Sequence, residues 1–239
     1  MADFQNATFE KLCRYLGWGD PNNHGLWFIG LEEGGTARSV RQTEDWFREQ
    51  SDLVRDGDII YGGDTYPSCS PNRFAKWESR VPYYAASIAC AVSASGLDVY
   101  GYMQQCLWRP GQGVFNANLY PLQKSEWNSW PDECIELSGF KQQQWPEYKD
   151  LVRDTRHQWL YSYLSAKKPQ AVVCFGMVGW PYFCEALRLA EREPSPYGIV
   201  SYPEERVLLV PFFDNRQMGG GKASRIADIL LKEWNVSIP

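Results

Sequence analysis

The amino-acid sequence predicts a three-layer α/β/α sandwich with a central, parallel-rich sheet. Along the 239 residues, short apolar runs of strand length alternate with longer segments of helical periodicity. Parallel strands require crossover connections of helical length, and strands covered by helices on both faces are apolar throughout. No repeat, low-complexity tract or linker divides the chain, so we expect one domain over 1–239.

The first part of the chain alternates helix and strand signals before a long irregular segment. Apolar residues spaced three and four apart predict a helix over 7–16. The run Leu-Trp-Phe-Ile-Gly-Leu over 26–31 predicts a buried strand that ends in a Gly/Glu cluster. Residues 36–54 have helical composition, whereas 56–80 have no regular periodicity and predict a long loop, which in compact domains is often functional.

The remaining chain continues the alternation. Its predicted elements are helix 81–95, strand 114–119, an irregular connection over 121–146, helix 147–166, strand 170–175, a helix from 177 to about 192, strand 206–212 and helix 222–234. Function in such sheets collects at the carboxyl ends of the strands. Three loops that carry polar residues, 30–36, 118–124 and 212–222, follow apolar strands directly and are predicted to converge there.

Composition excludes several classes of site. Seven scattered cysteines without a Cys-x-x-Cys pair predict free thiols and argue against structural zinc or an iron–sulfur cluster. Only His24 and His157 are present, which disfavours a Ser-His-Asp triad or a His-rich metal site. We therefore expect no metal or cofactor. We also expect a cytoplasmic protein, because no apolar run has membrane-spanning length and residues 1–6 lack a signal-peptide pattern.

The charge and the aromatic content bear on the partner. The net charge of −5 argues against a non-specific nucleic-acid coat but allows a local basic patch. Aromatic residues make up 15% of the chain, which fits either a large core or side chains that stack on bases and sugars.

The first loop contains two adjacent carboxylates between glycines. Glu32 and Glu33 directly follow the first strand, where a carboxylate can position water or stabilise a developing cation. Gly30, Gly34 and Gly35 allow the backbone to approach a ligand closely. The alternative is a solvated turn with two surface glutamates.

The second loop follows a strand with two asparagines. Asn116 and Asn118 alternate, so their side chains share one face of the sheet. An amide offers both a donor and an acceptor, which suits the edge of a base. The alternative is an asparagine that caps the turn at the strand end.

The third loop combines polar, cationic and apolar side chains before a helix. Its backbone N–H groups and cations can hold a DNA phosphate, and its apolar side chains can act as a wedge between bases. The alternative is a flexible connection. The side chains concerned are Asp214, Asn215, Arg216, Lys222, Phe212, Phe213 and Met218.

Together these loops resemble the uracil-DNA glycosylase superfamily over about residues 26–231. The segment 26–35 looks like the first motif of the family: an apolar strand, Gly, any residue, Asp, Asn or Ala, then Pro, then Tyr or Gly. The strand with Asn118 is similar to the base-reading strand, and 168–176 to the Pro-containing strand that ends in Gly. Residues 207–211 and the following loop stand where the family has its His-Pro-Ser motif.

The resemblance implies a monofunctional DNA glycosylase that flips a nucleotide out of the duplex and leaves an abasic site, because no lysine occupies a motif position suited to lyase chemistry. It implies Glu32 as the water-activating residue, with Glu33 as second candidate. Either Asp214, Asn215 or a backbone group would replace the missing motif His, or the leaving base differs from that of the family. The implied base contacts are Gly30, Leu31, Gly34, Asn118 and Phe47, and the implied DNA contacts are Phe213, Asn215, Arg216 and Lys222.

Gly34 is the departure that bears on the substrate. It stands where strict uracil enzymes carry a Tyr that blocks C5 substituents, so the resemblance implies a pocket open to modified pyrimidines. We therefore expect a monomer that acts on modified DNA, for example glucosylated hydroxymethylcytosine in defence against phage. A uracil or mismatch repair enzyme and a catalytically silent DNA-binding module are the alternatives. The aromatic residue that stacks on the base stays open among Trp46, Phe47, Phe74 and Trp77.

Overall fold

The computed structural model describes residues 7–22, 24–32, 54–56, 59–62, 80–122, 124 and 129–239. Within these ranges eight strands form one mixed sheet. The strands are β1 (Tyr15–Gly19), β2 (Leu26–Gly30), β3 (Val54–Asp56), β4 (Ile59–Gly62), β5 (Val114–Asn118), β6 (Ala171–Phe175), β7 (Val200–Tyr202) and β8 (Val207–Val210). Their spatial order is β3-β4-β1-β5-β2-β6-β8-β7.

The described helices lie before, between and after these strands. They are α1 (Ala7–Arg14), α2 (Arg80–Val92), α3 (Val99–Gln105), α4 (Asp132–Ser138), α5 (Trp145–Val152), α6 (Gln158–Lys167), α7 (Trp180–Leu187) and α8 (Lys222–Asp228). A π-helical turn, Arg153–His157, joins α5 to α6, and a second, Ile229–Glu233, follows α8. The helix predicted over 36–54 lies outside the described residues, apart from Val54 in β3.

The centre of the sheet is parallel, as the sequence predicts. Strands β5, β2, β6 and β8 are parallel neighbours. The outer pairs are mixed, because β1 runs antiparallel to β5 and β7 runs antiparallel to β8, whereas β1 and β4 are parallel.

Helices cover both faces of the sheet, which confirms the three-layer arrangement. Alternate residues of β2 point to opposite sides: Phe28 belongs to a core shared with α2, α3 and α8, whereas Trp27 and Ile29 belong to a core shared with α1 and α4–α7. Both faces of β2 are buried, which explains why this strand is apolar throughout.

The predicted helix 7–16 is too long, because the chain leaves α1 at Arg14 and continues as β1. Gly17 explains the change of structure. A Cβ atom at this position would lie 1.8 Å from the backbone oxygen of Asn116, so only glycine lets β1 approach β5 this closely. The short elements β7, α3 and α4 were also missed, because three to seven residues are too few for a clear periodicity.

Arg156, within the π-helical turn, connects the junction of α1 and β1 to the carboxyl end of β5. Its guanidinium group is buried and donates hydrogen bonds to the carbonyl oxygen of Asn118 at 2.6 and 2.8 Å. It also donates to carbonyl oxygens around the end of α1 and the start of β1, namely those of Leu12, Cys13, Tyr15 and Leu16. Each of these acceptors would otherwise lose a partner on burial.

Candidate active site

The carboxyl ends of the four parallel strands line up along one edge of the sheet. Gly30 is in register with Asn118 on one side and with Phe175 on the other, and Phe175 is in register with Val210. The described parts of the three polar loops therefore leave the sheet at the same edge, as predicted. The chain that leaves β2 returns through α2 and α3 on one face, whereas the chain that leaves β6 returns through α7 on the other. In open α/β sheets, ligands bind outside the carboxyl ends of the strands where the connections diverge in this way.

Gly30 is the last residue of β2 at this edge of the sheet. A Cβ atom here would lie 2.5 Å from the Oδ1 atom of Asn118 and 2.9 Å from the ring of Phe175. The absence of a side chain thus allows Asn118 and Phe175 to converge above the strand end. The predicted pair Gly30 and Asn118 is brought together by this packing, and the following residue, Leu31, is half-buried, with its backbone oxygen accepting from the N–H of Tyr120.

Glu32 is not the solvated surface glutamate of the alternative interpretation. Its side chain is only 10% exposed, and its Oε2 atom lies 3.2 Å from the Nζ atom of Lys124. Lys124 is 1% exposed, and its ammonium group lies 4.5 Å from the centre of the Trp145 ring. Lys124 was not among the predicted site residues, although its position in the tryptophan-rich connection 121–146 indicated a cation close to aromatic rings.

Burial changes the acidity of Glu32. Loss of solvent raises the pKa of this carboxyl group to about 7, although the neighbouring Lys124 acts in the opposite direction. A carboxyl group with a pKa near neutrality can exchange a proton at physiological pH, which is the property of a general base or acid. The site therefore contains one group suited to activate water.

Phe213 was predicted as a DNA contact, and this prediction is wrong. The side chain is 0% exposed, and its ring stacks on that of Phe175 with centroids 4.5 Å apart. Met218 is buried as well, whereas Phe212 is 40% exposed. The backbone direction after β8 turns one of two adjacent phenylalanines into the core and the other toward solvent.

The polar residues of the third loop make hydrogen bonds within the loop and to α2. The Oδ1 atom of Asp214 accepts hydrogen bonds from the backbone N–H groups of Arg216 and Gln217, both at 2.8 Å, so this carboxylate stabilises the turn. Lys222 donates to the carbonyl oxygen of Gln217 at 2.7 Å, and Asn215 accepts from the hydroxyl of Tyr84 at 2.9 Å. Arg216 and Asn215 are exposed at the edge.

Exposed apolar side chains also line this edge. Met177 and Val178 follow β6 and are exposed, and Phe212 lies against Gly176, immediately before them. Residues 177 and 178 were predicted only as the start of a helix, without a role in binding. Large apolar side chains grouped in solvent are typical of a surface that meets a partner.

Neither histidine substitutes for the missing motif residue. His24 lies before the amino end of β2, at the opposite edge of the sheet from Glu32. His157 is buried beneath Tyr120, and burial together with Arg156 lowers its pKa to about 3, which keeps the ring neutral. Glu33, Gly34 and Phe47 lie outside the described residues, as do the alternative stacking candidates Trp46, Phe74 and Trp77.

Over the described ranges, no group of three or more His, Cys, Asp or Glu side chains is placed to hold a metal ion. The six cysteines in those ranges are free, as predicted. No helix among the described residues has the length and apolar character needed to cross a membrane. In comparisons with known proteins, no protein family and no curated protein matches the sequence.

Proposed function

We propose that this protein is a DNA glycosylase that excises a modified, 5-substituted pyrimidine and leaves an abasic site. The observation that supports the proposal most is Glu32, a buried carboxyl group with a pKa of about 7 at the carboxyl end of β2. Asn118, an amide suited to the edge of a base, ends the neighbouring strand at the same level.

The proposed reaction breaks the bond between C1′ of the sugar and the base nitrogen. Positive charge develops on the sugar and negative charge on the leaving base, so a carboxylate near the sugar and a donor near the base both lower the barrier. Glu32 in its ionised form accepts a proton from the attacking water, and Asn118 contacts the flipped base. The target nucleotide must leave the stack, because the bond is out of reach inside the duplex.

The proposed substrate class follows from the resemblance at Gly34, where a side chain that would exclude a C5 substituent is missing. We propose glucosylated hydroxymethylcytosine in phage DNA as the substrate to test first. The exposed residues of the edge, Arg216 and Phe212, are then available for a phosphate and for the gap left in the stack.

A catalytically silent DNA-binding module is the second candidate. One observation favours it: Asp214, a candidate to replace the missing motif His, is engaged in the turn of its own loop and is therefore not directed at a leaving base. Both functions require DNA binding, but only the glycosylase forms an abasic site.

The experiment uses duplexes that carry uracil, a thymine mismatch, hydroxymethylcytosine or its glucosylated form. Each is incubated with protein and treated with alkali, which cleaves the strand at an abasic site. We expect cleavage of the glucosylated duplex only, and a loss of about 10²–10⁴-fold in Glu32→Gln with binding preserved. Glu136→Gln, which changes an exposed carboxylate on α4, is the control. Full activity in Glu32→Gln would remove the proposed role, and binding without cleavage of any duplex would favour the silent module.

A further inference from the structure

Lys124 is a buried ammonium group directly beside the candidate catalytic carboxylate. Burying a lysine costs free energy unless the charge is compensated, so such a position needs an explanation. The described surroundings supply compensation of two kinds. The Oε2 atom of Glu32 lies 3.2 Å from Nζ, and the ring faces of Trp145 and Trp130 lie 4.5 and 5.5 Å from it.

The two tryptophans are themselves held in place. The indole N–H of Trp130 donates to the carbonyl oxygen of Phe140 at 2.8 Å, and its ring meets that of Trp145 edge-on at 5.2 Å. Trp145 stacks on Tyr148, which lies in the core between α5 and the sheet. The ammonium group of Lys124 therefore packs against an aromatic surface formed by Trp130 and Trp145, whose own contacts fix their orientation.

We propose that Lys124 is a positioning residue for Glu32, whose ionised form it stabilises and whose carboxylate it holds at the carboxyl end of β2. The proposal rests on the proposed function in so far as Glu32 is the group that activates water. Lys124 itself is too deeply buried to contact the substrate.

Among the described residues, the other titratable groups that face Glu32 carry no charge that could replace that of Lys124. They are Tyr120 after β5, Cys134 on α4 and Tyr148 on α5. Burial raises the pKa of all three, to about 12 for Cys134, so they are neutral at physiological pH. Burial also lowers the pKa of Lys124, and Glu32 counteracts this effect, so each charge supports the other.

The test compares Lys124→Met with Lys149→Met. Lys149 is a matched control because its ammonium group lies 5.8 Å from the same Trp145 ring. Among the described residues, Lys124 and not Lys149 is the cation that lowers the pKa of Glu32. The titration midpoint of the Glu32 carboxyl is measured by carbon NMR on the labelled full chain, with Glu32→Gln for assignment. In parallel, the pH dependence of base release is measured.

We expect the midpoint of Glu32 to rise by at least about one pH unit in Lys124→Met, because an opposite charge within this distance typically lowers a carboxyl pKa by about 1–3 units. The acidic limb of the rate profile should move by the same amount, and Lys124→Arg should restore both. Lys149→Met should leave both unchanged.

An unchanged midpoint in Lys124→Met overturns the proposal. If this variant does not fold, Lys124→Gln takes its place, and failure of both to fold would show a purely structural lysine and overturn it as well. A shifted midpoint in a protein that releases no base from any duplex supports the pairing and refutes the glycosylase. Base release with an unshifted midpoint refutes the pairing alone.

Discussion

Replacement of Phe213 by alanine distinguishes a core residue from a surface contact. The Phe213 ring is fully buried between the sheet and α2, where it stacks on Phe175 at 4.5 Å and meets Phe28 at 5.9 Å. Truncation removes both contacts and leaves a cavity lined by the rings of neighbours that the strands hold in place. Relaxation around such a cavity is incomplete, which makes the substitution costly.

The magnitude follows from this packing. A buried Phe→Ala substitution costs about 3–5 kcal/mol of the free energy of unfolding, and an aromatic pair contributes about 0.5–1.5 kcal/mol beyond its buried area. Phe213 makes ring contacts with Phe28, Tyr84 and Phe175, which place the substitution in the upper part of this range, at about 4–5 kcal/mol. For a chain of this size, that loss lowers the melting temperature by about 8–20 °C.

Urea unfolding followed by circular dichroism measures the change, with Phe212→Ala as the control. Phe212 is 40% exposed, so its truncation should cost no more than about 1 kcal/mol. The slope of the transition should be equal in the three proteins. A loss below about 1 kcal/mol in Phe213→Ala, or a larger loss in Phe212→Ala, would refute the assignment of Phe213 to the core.

Three further predictions concern the edge of the sheet. Gly30→Ala places a Cβ atom 2.5 Å from the Oδ1 atom of Asn118, so we expect base release to fall at least about tenfold in steady-state assays, and wild-type kcat/KM would contradict the packing. Base release by the wild-type protein should decline as the pH falls through about 7, because Glu32 becomes protonated and loses its capacity as a base; a decline that begins only below pH 5 would contradict its raised pKa. Arg156→Met leaves buried carbonyl oxygens without donors, and we expect a loss of about 3 kcal/mol or more in urea unfolding, whereas a wild-type midpoint would show that water replaces the guanidinium group.

The central sheet could be predicted from the sequence because its signal is local. Strands β2, β6 and β8 are unbroken or nearly unbroken apolar runs, since helices bury both of their faces. Strand β5 is apolar apart from Asn116 and Asn118. The outer strands β1 and β7 carry no such signal. They are strands because of what they pair with, and pairing between distant segments is not written into either segment alone.

The sequence by itself predicted that a carboxylate, Glu32, and an amide, Asn118, stand at the carboxyl ends of two apolar strands and converge at one edge of a parallel-rich sheet. That these two strands are neighbours was decided by the tertiary structure. Only the tertiary structure decided what surrounds them. It placed Lys124, distant in sequence, beside Glu32, and it turned Phe213 inward and Phe212 outward. The physical reason is that strand periodicity acts within a few residues, whereas burial, and with it the pKa of Glu32, depends on segments that only the folded chain brings together.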